Sequence, residues 1–379
     1  MRACDVTMFW STTGGGVRRY IEKKREWLAR TRPDIGHMAI VPGRTASLTG
    51  APLMPMAAVR GVRIPFAPGY RTPLAGRQVI RALDAWEPDF VECGSPFLMR
   101  RAVSEWRRRS GLPVFDYYHA YFPLNYTAVL RGRLPALCCQ LERLGWRYLR
   151  HAYSDSERIF VASACVRRRL ASEGIVNTEP APLGVDLSLF SPQGRERRSG
   201  AKTMLFVGRL SEEKGLSLVL ECFRLLSGER DLRLVIVGDG IMRRNVEALA
   251  SRDSWVRYAG FLDSEGLARE YRNADVLVSG APAETLGLTF LEALASGTPV
   301  AGLSGSGLMD ELPGEVASAV PNRDAELLAR AAAAILDSPP DPAACRAAAE
   351  PFDWDTRLEH ILEREIELSG SAGPVRIGA

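Results

Sequence analysis

The sequence of 379 residues contains no uninterrupted apolar run long enough for a membrane-spanning helix, which needs about 20 mostly apolar residues. Its first residues, MRACDVTMFWSTTGGG, also lack the apolar core of a secretory signal peptide. These absences argue against an integral membrane protein and against a secreted one. We therefore expect the protein to work in the cytoplasm.

Cysteine and histidine are scarce, with seven cysteines and four histidines in the whole chain. The cysteines form no C-x-x-C pair, and no histidine stands at a spacing that suits zinc. Their odd number argues against a complete disulfide framework. We therefore expect reduced, buried thiols, as in other cytoplasmic proteins, and no metal site built from these residues.

Positive charge is concentrated in the first half of the chain. Residues 1–190 carry 28 Arg and Lys against 16 Asp and Glu, whereas the net charge of the chain is +4. Tryptophans interleave with the basic clusters: Arg18, Arg19, Lys23, Lys24 and Arg25; Arg100 and Arg101; Arg107, Arg108 and Arg109; Arg143, Arg147 and Arg150; with Trp27, Trp106 and Trp146. Arg and Trp on helix faces suit an anionic membrane surface. The same pattern also fits solvated helices whose tryptophans point into the core, and no recognition motif supports nucleic-acid binding.

Short apolar segments alternate with amphipathic ones along the chain. In the first half, strands are predicted at 4–10, 38–41, 90–92, 114–118 and 158–162, and helices at 17–31, 76–86, 96–110, 135–153 and 163–173. Residues 42–76 are rich in Pro and Gly and are predicted to be irregular, with short strands near 53–65. In the second half, strands are predicted near 203–207, 233–237, 256–259, 275–278, 299–301 and 317–320. This spacing predicts α/β domains with doubly wound parallel sheets.

The same pattern divides the chain into two Rossmann-like domains. We predict an N-terminal domain over residues 1–190, a polar linker over 191–202 and a C-terminal domain over 203–350. A C-terminal helix is expected within 351–368, and the Gly- and Ser-rich tail 369–379 is expected to be disordered.

Glu284 and Glu292 bracket the most informative stretch, AETLGLTFLEALASGTPVAG. The pattern predicts a helix whose first turn contains Leu286, Gly287 and Leu288. Amide groups at the start of a helix, together with the positive end of its dipole, favour a phosphate. Glu292 lies about six residues beyond this first turn, roughly 9 Å further along the helix axis. The stretch therefore offers an anion site flanked by two hydrogen-bond acceptors, which suits a nucleotide sugar with hydroxyls at both ends of its diphosphate.

Arg209 and Lys214 lie in the segment MLFVGRLSEEKG, directly after a predicted buried strand. Two cations on one loop after a strand are suited to hold phosphate oxygens. They would neutralise the negative charge that develops on a departing diphosphate. A solvated loop is the alternative interpretation.

Together these stretches resemble the retaining glycosyltransferases of the GT-B fold, in particular the group 1 (family 4) enzymes. The resemblance is carried by the E-x7-E run and by V-G-R-x4-K-G, and further segments follow in the family's order: LGVDLSLF, LVIVGDG, YAGFLDSEGLAREYRNADVLVS and FDW. It implies two Rossmann-like domains that face each other across a cleft, with the donor held mainly by the second domain and the acceptor by the first. It also implies that the C-terminal helix crosses back to the N-terminal domain.

The resemblance implies a role for each matching residue. The residues expected to bind the donor are Gly15, Gly16, Arg209, Lys214, Leu262, Glu284, Leu286, Gly287, Leu288, Thr289 and Glu292. Glu284 would accept hydrogen bonds from the donor sugar, Glu292 would bind the ribose, and the backbone near Leu262 would meet the nucleobase. The residues expected to take part in catalysis are His119, Arg209, Lys214 and Glu284.

The first half matches the family less closely, at Gly14-Gly15-Gly16-Val17 and at His119. Glycines between a strand and a helix let the backbone approach a phosphate, and a tight turn without a ligand is the alternative. His119 ends a predicted strand, and the ends of parallel strands face the ligand crevice. The resemblance implies that His119 lies beside the donor sugar, and a purely structural histidine is the alternative.

The implied activity is transfer of a hexose from a nucleotide diphosphate sugar to an acceptor hydroxyl, with retention of the anomeric configuration. We expect UDP-hexose as the donor, with GDP-mannose as the next choice, and no metal, because Arg209 and Lys214 supply the positive charge. The basic first half favours a membrane lipid or lipid-linked glycan as acceptor and a peripheral position on the cytoplasmic membrane face. A nucleotide-sugar epimerase or phosphorylase on the same fold, and a non-catalytic sugar- or lipid-binding protein, remain open alternatives.

Overall fold

The computed structural model describes residues 1–11, 15–64, 69–124, 127, 134–196 and 200–371. The chain divides into two compact units. The first comprises 1–162, 166–183 and the C-terminal segment from Arg357, and the second comprises 163–165 and 184–356. Gly14, part of the predicted linker (197–199) and most of the predicted tail (372–379) lie outside the described residues.

The described strands of the first unit form one nine-stranded sheet in the order β3-β4-β2-β1-β6-β7-β8-β9, with β5 paired to β4. They are β1 (Arg2–Val6), β2 (Gly36–Gly43), β3 (Ser47–Ala51), β4 (Met54–Arg63), β5 (Arg71–Pro73), β6 (Phe90–Cys93), β7 (Val114–Tyr118), β8 (Arg158–Val161) and β9 (Thr178–Pro180). The helices between them are α1 (Gly16–Thr31), α2 (Arg77–Trp86), α3 (Leu98–Ser110), α4 (Pro135–Ala152) and α5 (Ala164–Ser172).

The second unit has a six-stranded sheet in the order β12-β11-β10-β13-β14-β15. Its strands are β10 (Lys202–Val207), β11 (Leu232–Val237), β12 (Val256–Gly260), β13 (Val276–Val278), β14 (Val300–Leu303) and β15 (Ala317–Val320). The following helices of this unit are α6 (Leu216–Ser227), α7 (Arg243–Arg252), α8 (Ser264–Arg272), α9 (Leu288–Ala295), α10 (Ala325–Asp337) and α11 (Pro342–Ala349). The last helix, α12 (Trp354–Ser371), belongs from Arg357 onward to the first unit. All strand pairs in this sheet are parallel.

Parallel central strands explain the apolar runs in the sequence. Strands such as β11, with the sequence LRLVIV, are buried along nearly their whole length because helices cover both faces of the sheet. The prediction of two doubly wound α/β domains is thereby confirmed. The sequence did not reveal the antiparallel edge formed by β3, β4 and β5 within the segment predicted to be irregular. In β4, buried and more exposed residues alternate, as expected for a strand near a sheet edge.

The basic clusters do not form the aromatic surface that the sequence suggested. Trp27, Trp106 and Trp146 are 5%, 3% and 2% exposed, so these rings pack inside the first unit. Lys24 and Arg100 are buried as well. The interpretation that Trp and Arg share an exposed face is therefore wrong for these residues, because each helix buries its tryptophan in the interior of the unit.

Lys24 lies at the centre of a buried cluster of charged residues. Its ammonium is 3.0 Å from a carboxylate oxygen of Asp5 on β1, 3.0 Å from one of Glu92 on β6 and 3.5 Å from one of Glu365 on α12. The hydroxyl of Tyr20 also donates a hydrogen bond to Glu92 at 2.8 Å. One cation from α1 thus joins two strands of the sheet to the C-terminal helix.

Replacing this cation should destabilise the protein strongly. In Lys24→Met the buried carboxylates of Asp5 and Glu92 lose their common partner, and breaking a buried ion pair costs about 3–5 kcal/mol. We expect the free energy of unfolding, measured by urea denaturation, to fall by about this amount. Lys23→Met, one position earlier and partly exposed, should change it by less than about 1 kcal/mol. Equal stabilities of the two variants would contradict this view of the cluster.

The cluster should also shape the pH dependence of stability. Burial, reinforced by the carboxylates of Glu92 and Asp5, raises the pKa of Glu365 despite the opposing ammonium of Lys24. Above pH 4.5 the unfolded chain has lost this proton while the folded chain keeps it, so stability falls as the pH rises through this window. Glu365→Gln should make that fall shallower and should be at least as stable as the wild type at pH 7. Urea titrations from pH 5 to 8 would test this, and an unchanged slope would count against it.

Candidate functional site

The sequence-predicted cations and the first glutamate follow two neighbouring strands. Arg209 and Lys214 come after β10, and Glu284 comes after β13. These strands pair directly, with Met204 opposite Val276. Because both are parallel, their carboxyl ends lie at the same edge of the sheet, where ligands bind in open α/β sheets.

The structure brings Lys214 and Glu284 into contact. The Lys214 ammonium lies 2.5 Å from Oε1 of Glu284, and both side chains remain partly exposed. Arg209 stays on the more exposed part of the same loop, where it pairs with Glu213 at 3.5 Å. The site therefore holds one partly exposed cation paired with Glu284 and one more exposed cation paired with Glu213.

The close approach of the two loops depends on a glycine. Gly215 has a φ of +68°, and a Cβ built on it would lie 2.0 Å from the carbonyl oxygen of Gly280. A side chain at Gly215 would collide with the backbone that leads to Glu284. The absence of a Cβ thus lets the Lys214 loop pack against the loop that carries its partner.

The helix begins later than predicted, at Leu288 instead of Leu286. Gly287 is the N-cap of α9, with a φ of +84°, and the helix begins at Leu288. Leu286 therefore precedes the helix and is buried, so its prediction as part of the first turn is wrong. The N-cap residue itself, being a glycine, supplies no side-chain cap. The amide N–H groups of the first helical turn, including those of Leu288 and Thr289, have no carbonyl partner within the helix. Such groups favour an anion.

Glu292 lies within α9 and differs in its environment from Glu284. It is 4% exposed, and its Oε2 accepts a hydrogen bond of 2.9 Å from the hydroxyl of Tyr271 at the end of α8. Tyr271 is itself fully buried against Phe190. The tyrosine fixes the direction of the carboxylate, and it was missed because nothing in the sequence connects it to Glu292.

A second segment missed in the sequence supports the Glu284 loop. It follows β14 and contains Ser306 and Gly307. The amide of Gly307 donates to the carbonyl of Glu284 at 3.0 Å, and the Ser306 hydroxyl donates to the carbonyl of Ala281 at 2.7 Å. The run S-G-S-G directly after an apolar strand was the signal that could have revealed it. These contacts hold the backbone of the loop in place.

Leu262 lies just after β12, on the far side of β11 from β10, and is partly exposed. The carbonyl of Gly260 accepts a hydrogen bond of 2.8 Å from the amide of Gly238, which links the loops after β11 and β12. One carboxylate oxygen of Asp263 caps α8 through the amide of Gly266 at 2.8 Å. The contact of this loop with a nucleobase stays a prediction.

In the first unit, the predicted residues also lie at the carboxyl edge of their sheet. Gly15 is the N-cap of α1 and Gly16 its first residue, after β1. His119 follows β7 and stacks on Tyr117, with ring centroids 4.3 Å apart. Burial lowers the pKa of His119 to about 3. The imidazole is therefore neutral near pH 7, which suits a hydrogen-bond partner rather than a proton donor.

Family comparisons agree with both halves of the chain. A family model described as glycosyl transferases group 1 matches residues 190–351, and one described as glycosyltransferase family 4 matches residues 14–189. These matches cover the described strands of both sheets except β1, and they include the predicted site residues.

Similar proteins of known activity include a GDP-mannose-dependent alpha-(1-6)-phosphatidylinositol dimannoside mannosyltransferase from Mycobacterium tuberculosis. It is 28% identical over 96% of this chain and 95% of its own length. A GDP-mannose-dependent alpha-mannosyltransferase from Mycolicibacterium smegmatis is 31% identical over 59% of this chain and 58% of its own. Among solved structures, sucrose-phosphate synthase from Thermosynechococcus elongatus has the same fold, with a TM-score of 0.75, 19% identity and coverage of 98% of this chain and 100% of that chain.

The glycine contact between the two loops can be tested directly. Gly215→Ala combines a left-handed backbone with a collision against Gly280, which should cost about 2–4 kcal/mol of unfolding free energy. Gly228→Ala, at the other end of α6, meets its nearest atom at 4.0 Å and should change stability by less than about 1 kcal/mol. Urea denaturation of both variants would measure the difference. Similar stabilities would show that the loops can separate without cost.

Proposed function

Since the chain belongs to the group 1 (family 4) glycosyltransferases of the GT-B fold, we propose that it is a retaining mannosyltransferase that uses GDP-mannose and needs no metal. That it is a glycosyltransferase with a nucleotide-sugar donor follows from its relatives. The choice of GDP-mannose over UDP-hexose rests on one observation. The relative that matches 96% of the chain is named for that donor.

The second unit supplies the donor site in this proposal. Lys214, Arg209 and the start of α9 neutralise the diphosphate, which leaves with two negative charges to be stabilised. Glu284 accepts hydrogen bonds from mannose hydroxyls. Its ion pair with Lys214 keeps the group that binds the sugar next to the group that binds the phosphate. Glu292, directed by Tyr271, accepts hydrogen bonds from the ribose.

The proposed mechanism uses no protein nucleophile. The acceptor hydroxyl attacks the anomeric carbon on the face from which the diphosphate departs, so that the configuration is retained. The bond from the anomeric carbon to the diphosphate oxygen breaks as the new glycosidic bond forms, and the departing diphosphate oxygen takes the acceptor proton. The fixed cations replace the charge that a metal ion would provide. His119, being neutral, serves as a hydrogen-bond partner of the sugar, and Gly15 and Gly16 serve as backbone contacts of the diphosphate.

We further propose a lipid-linked acceptor and a peripheral position on the cytoplasmic membrane face. The mycobacterial relative is named for a phosphatidylinositol dimannoside acceptor. The exposed arginines of α4, Arg143 and Arg147, suit an acceptor with anionic phosphate groups. In the part of the chain that the structure describes, no helix combines the length and apolar character needed to cross a bilayer.

The central experiment offers the purified protein GDP-mannose or UDP-glucose with a panel of lipid acceptors in mixed micelles, with and without EDTA. We expect mannose transfer to a phosphatidylinositol-based acceptor, resistance to EDTA, and an α-linked product by NMR. Preference for UDP-glucose would overturn the donor. Loss of activity with EDTA would overturn metal independence, and a β-linked product would overturn retention. Formation of an epimerised nucleotide sugar, or binding without turnover, would establish one of the alternative functions.

Removing the carboxylate that accepts hydrogen bonds from the ribose should weaken mainly the binding of the donor. Glu292→Gln removes a charge from the proposed hydrogen bonds, which are worth about 1.5–3 kcal/mol each. The donor KM should therefore rise about 10- to 100-fold, and Tyr271→Phe should raise it less, because the carboxylate remains but loses its direction. Glu221→Gln, exposed on α6, is the matched control and should leave the KM unchanged. An unchanged KM in Glu292→Gln would remove the ribose role.

A further inference from the structure

The outer face of α4 carries an unusual row of apolar side chains. Leu137, Leu141, Leu144 and Tyr148 are 42%, 39%, 56% and 43% exposed. Their spacing of four, three and four residues places them on one side of the helix. The row is about 16 Å long, which suits a helix lying in a membrane interface and not one that crosses a bilayer.

The inner face of α4 is a separate surface and is fully used by the fold. Cys138, Trp146 and Leu149 are buried there. Glu142, the one acidic residue of the helix, also turns inward, where it accepts hydrogen bonds from the Thr127 hydroxyl at 2.9 Å and the Cys138 thiol at 3.3 Å. The apolar row is therefore an addition to the core contacts of the helix.

The exposed surface beside the row is cationic. Arg143 and Arg147 are exposed and lie on the side of the row away from the core, with His151 further along the helix. Because the helix's acidic residue faces the interior, no carboxylate of α4 balances these charges on its outer face. An apolar row with arginines along one side is the pattern of helices that bind anionic lipid surfaces.

The row ends beside the carboxyl edge of the first sheet. The hydroxyl of Tyr148 donates a hydrogen bond of 2.5 Å to the carbonyl of Pro96, and its ring lies against Phe97. Pro96 follows β6, whose neighbour β7 leads to His119. A lipid surface bound along α4 would thus reach the edge of this unit at which its predicted site residues stand.

We propose that the outer face of α4 docks the protein on an anionic lipid bilayer, with Leu137, Leu141 and Leu144 at the acyl-chain boundary and Arg143 and Arg147 at the headgroups. This inference rests on the proposed lipid acceptor and names the surface that reaches it. A second copy of the chain fits less well. An antiparallel symmetric contact through the same row would bring the arginines of both copies together without a compensating carboxylate from either helix.

The test is flotation of the full-length protein with vesicles of phosphatidylcholine containing phosphatidylglycerol, compared with phosphatidylcholine alone. The triple variant Leu137→Gln, Leu141→Gln, Leu144→Gln should partition at least about tenfold less onto the anionic vesicles. In the double variant Arg143→Gln, Arg147→Gln, partitioning onto the anionic vesicles should fall about fivefold for each arginine removed. The remaining binding to the vesicles should depend less on salt. The control changes three exposed leucines elsewhere, Leu48→Gln, Leu53→Gln and Leu225→Gln, and should float like the wild type.

The outcomes separate the docking surface from the proposed function. Each variant is also assayed for mannose transfer in detergent micelles, where docking on a bilayer is not needed, and retention of activity there supports the proposal and shows that the variant folds. A wild type that transfers mannose in micelles but does not float with anionic vesicles overturns the docking surface and leaves the function standing. Flotation that depends on the leucines, without transfer to any lipid, overturns the function and leaves the surface. If the triple variant floats as well as the wild type, and the wild type is a dimer while the triple variant is a monomer, the apolar row is a contact surface for a second copy of the chain. This result overturns the proposal.

Discussion

The functional edge of the second sheet depends on how closely two backbones approach each other. The Lys214 loop and the Glu284 loop emerge from adjacent parallel strands, about 5 Å apart in the sheet. They can touch because Gly215 presents no Cβ to the carbonyl of Gly280. Charge attraction alone would not impose this contact, since an exposed ion pair contributes about 1 kcal/mol or less. The glycine contact sets the distance between the two loop backbones, and the ion pair then orients the side chains of Lys214 and Glu284 toward each other.

The fold was predictable because its signals are local. Buried parallel strands and amphipathic helices have distinct periodicities, and the spacing of their alternation indicates a doubly wound sheet. The candidate site was predictable only in part. Glu284 and Lys214 stand in recognisable runs, but Tyr271 reaches the site through a tertiary contact that no run of sequence encodes. Ser306 stands in an S-G-S-G run, but that run does not say which loop it contacts. The helix start at Leu288 also differed, because the backbone turns at Gly287 before the apolar pattern of α9 begins.

The two glutamates of the E-x7-E run have different physical environments, although the sequence presents them alike. Glu284 is partly exposed and shares its charge with Lys214. Glu292 is buried in the second turn of α9 and has a tyrosine hydroxyl as partner. A buried carboxylate with a fixed donor loses little freedom when a ligand binds, so it is suited to a constant part of the donor such as ribose. An exposed carboxylate beside a flexible lysine can adjust to the hydroxyl pattern of the sugar.

The charge of the first half illustrates why a count of residues overstates a surface potential. Lys24 and Arg100 belong to the interior, where each is matched by carboxylates from neighbouring strands. Such pairs stabilise the unit but contribute little field outside it, because opposite charges a few ångströms apart cancel beyond a Debye length of about 8–10 Å. The charges that a membrane can sense are those that protrude on a face without carboxylates of its own, as Arg143 and Arg147 do on the described helix α4. In the proposed docking, attraction to anionic lipid would therefore depend on a few exposed arginines placed beside leucines, and not on the excess of basic residues as a whole.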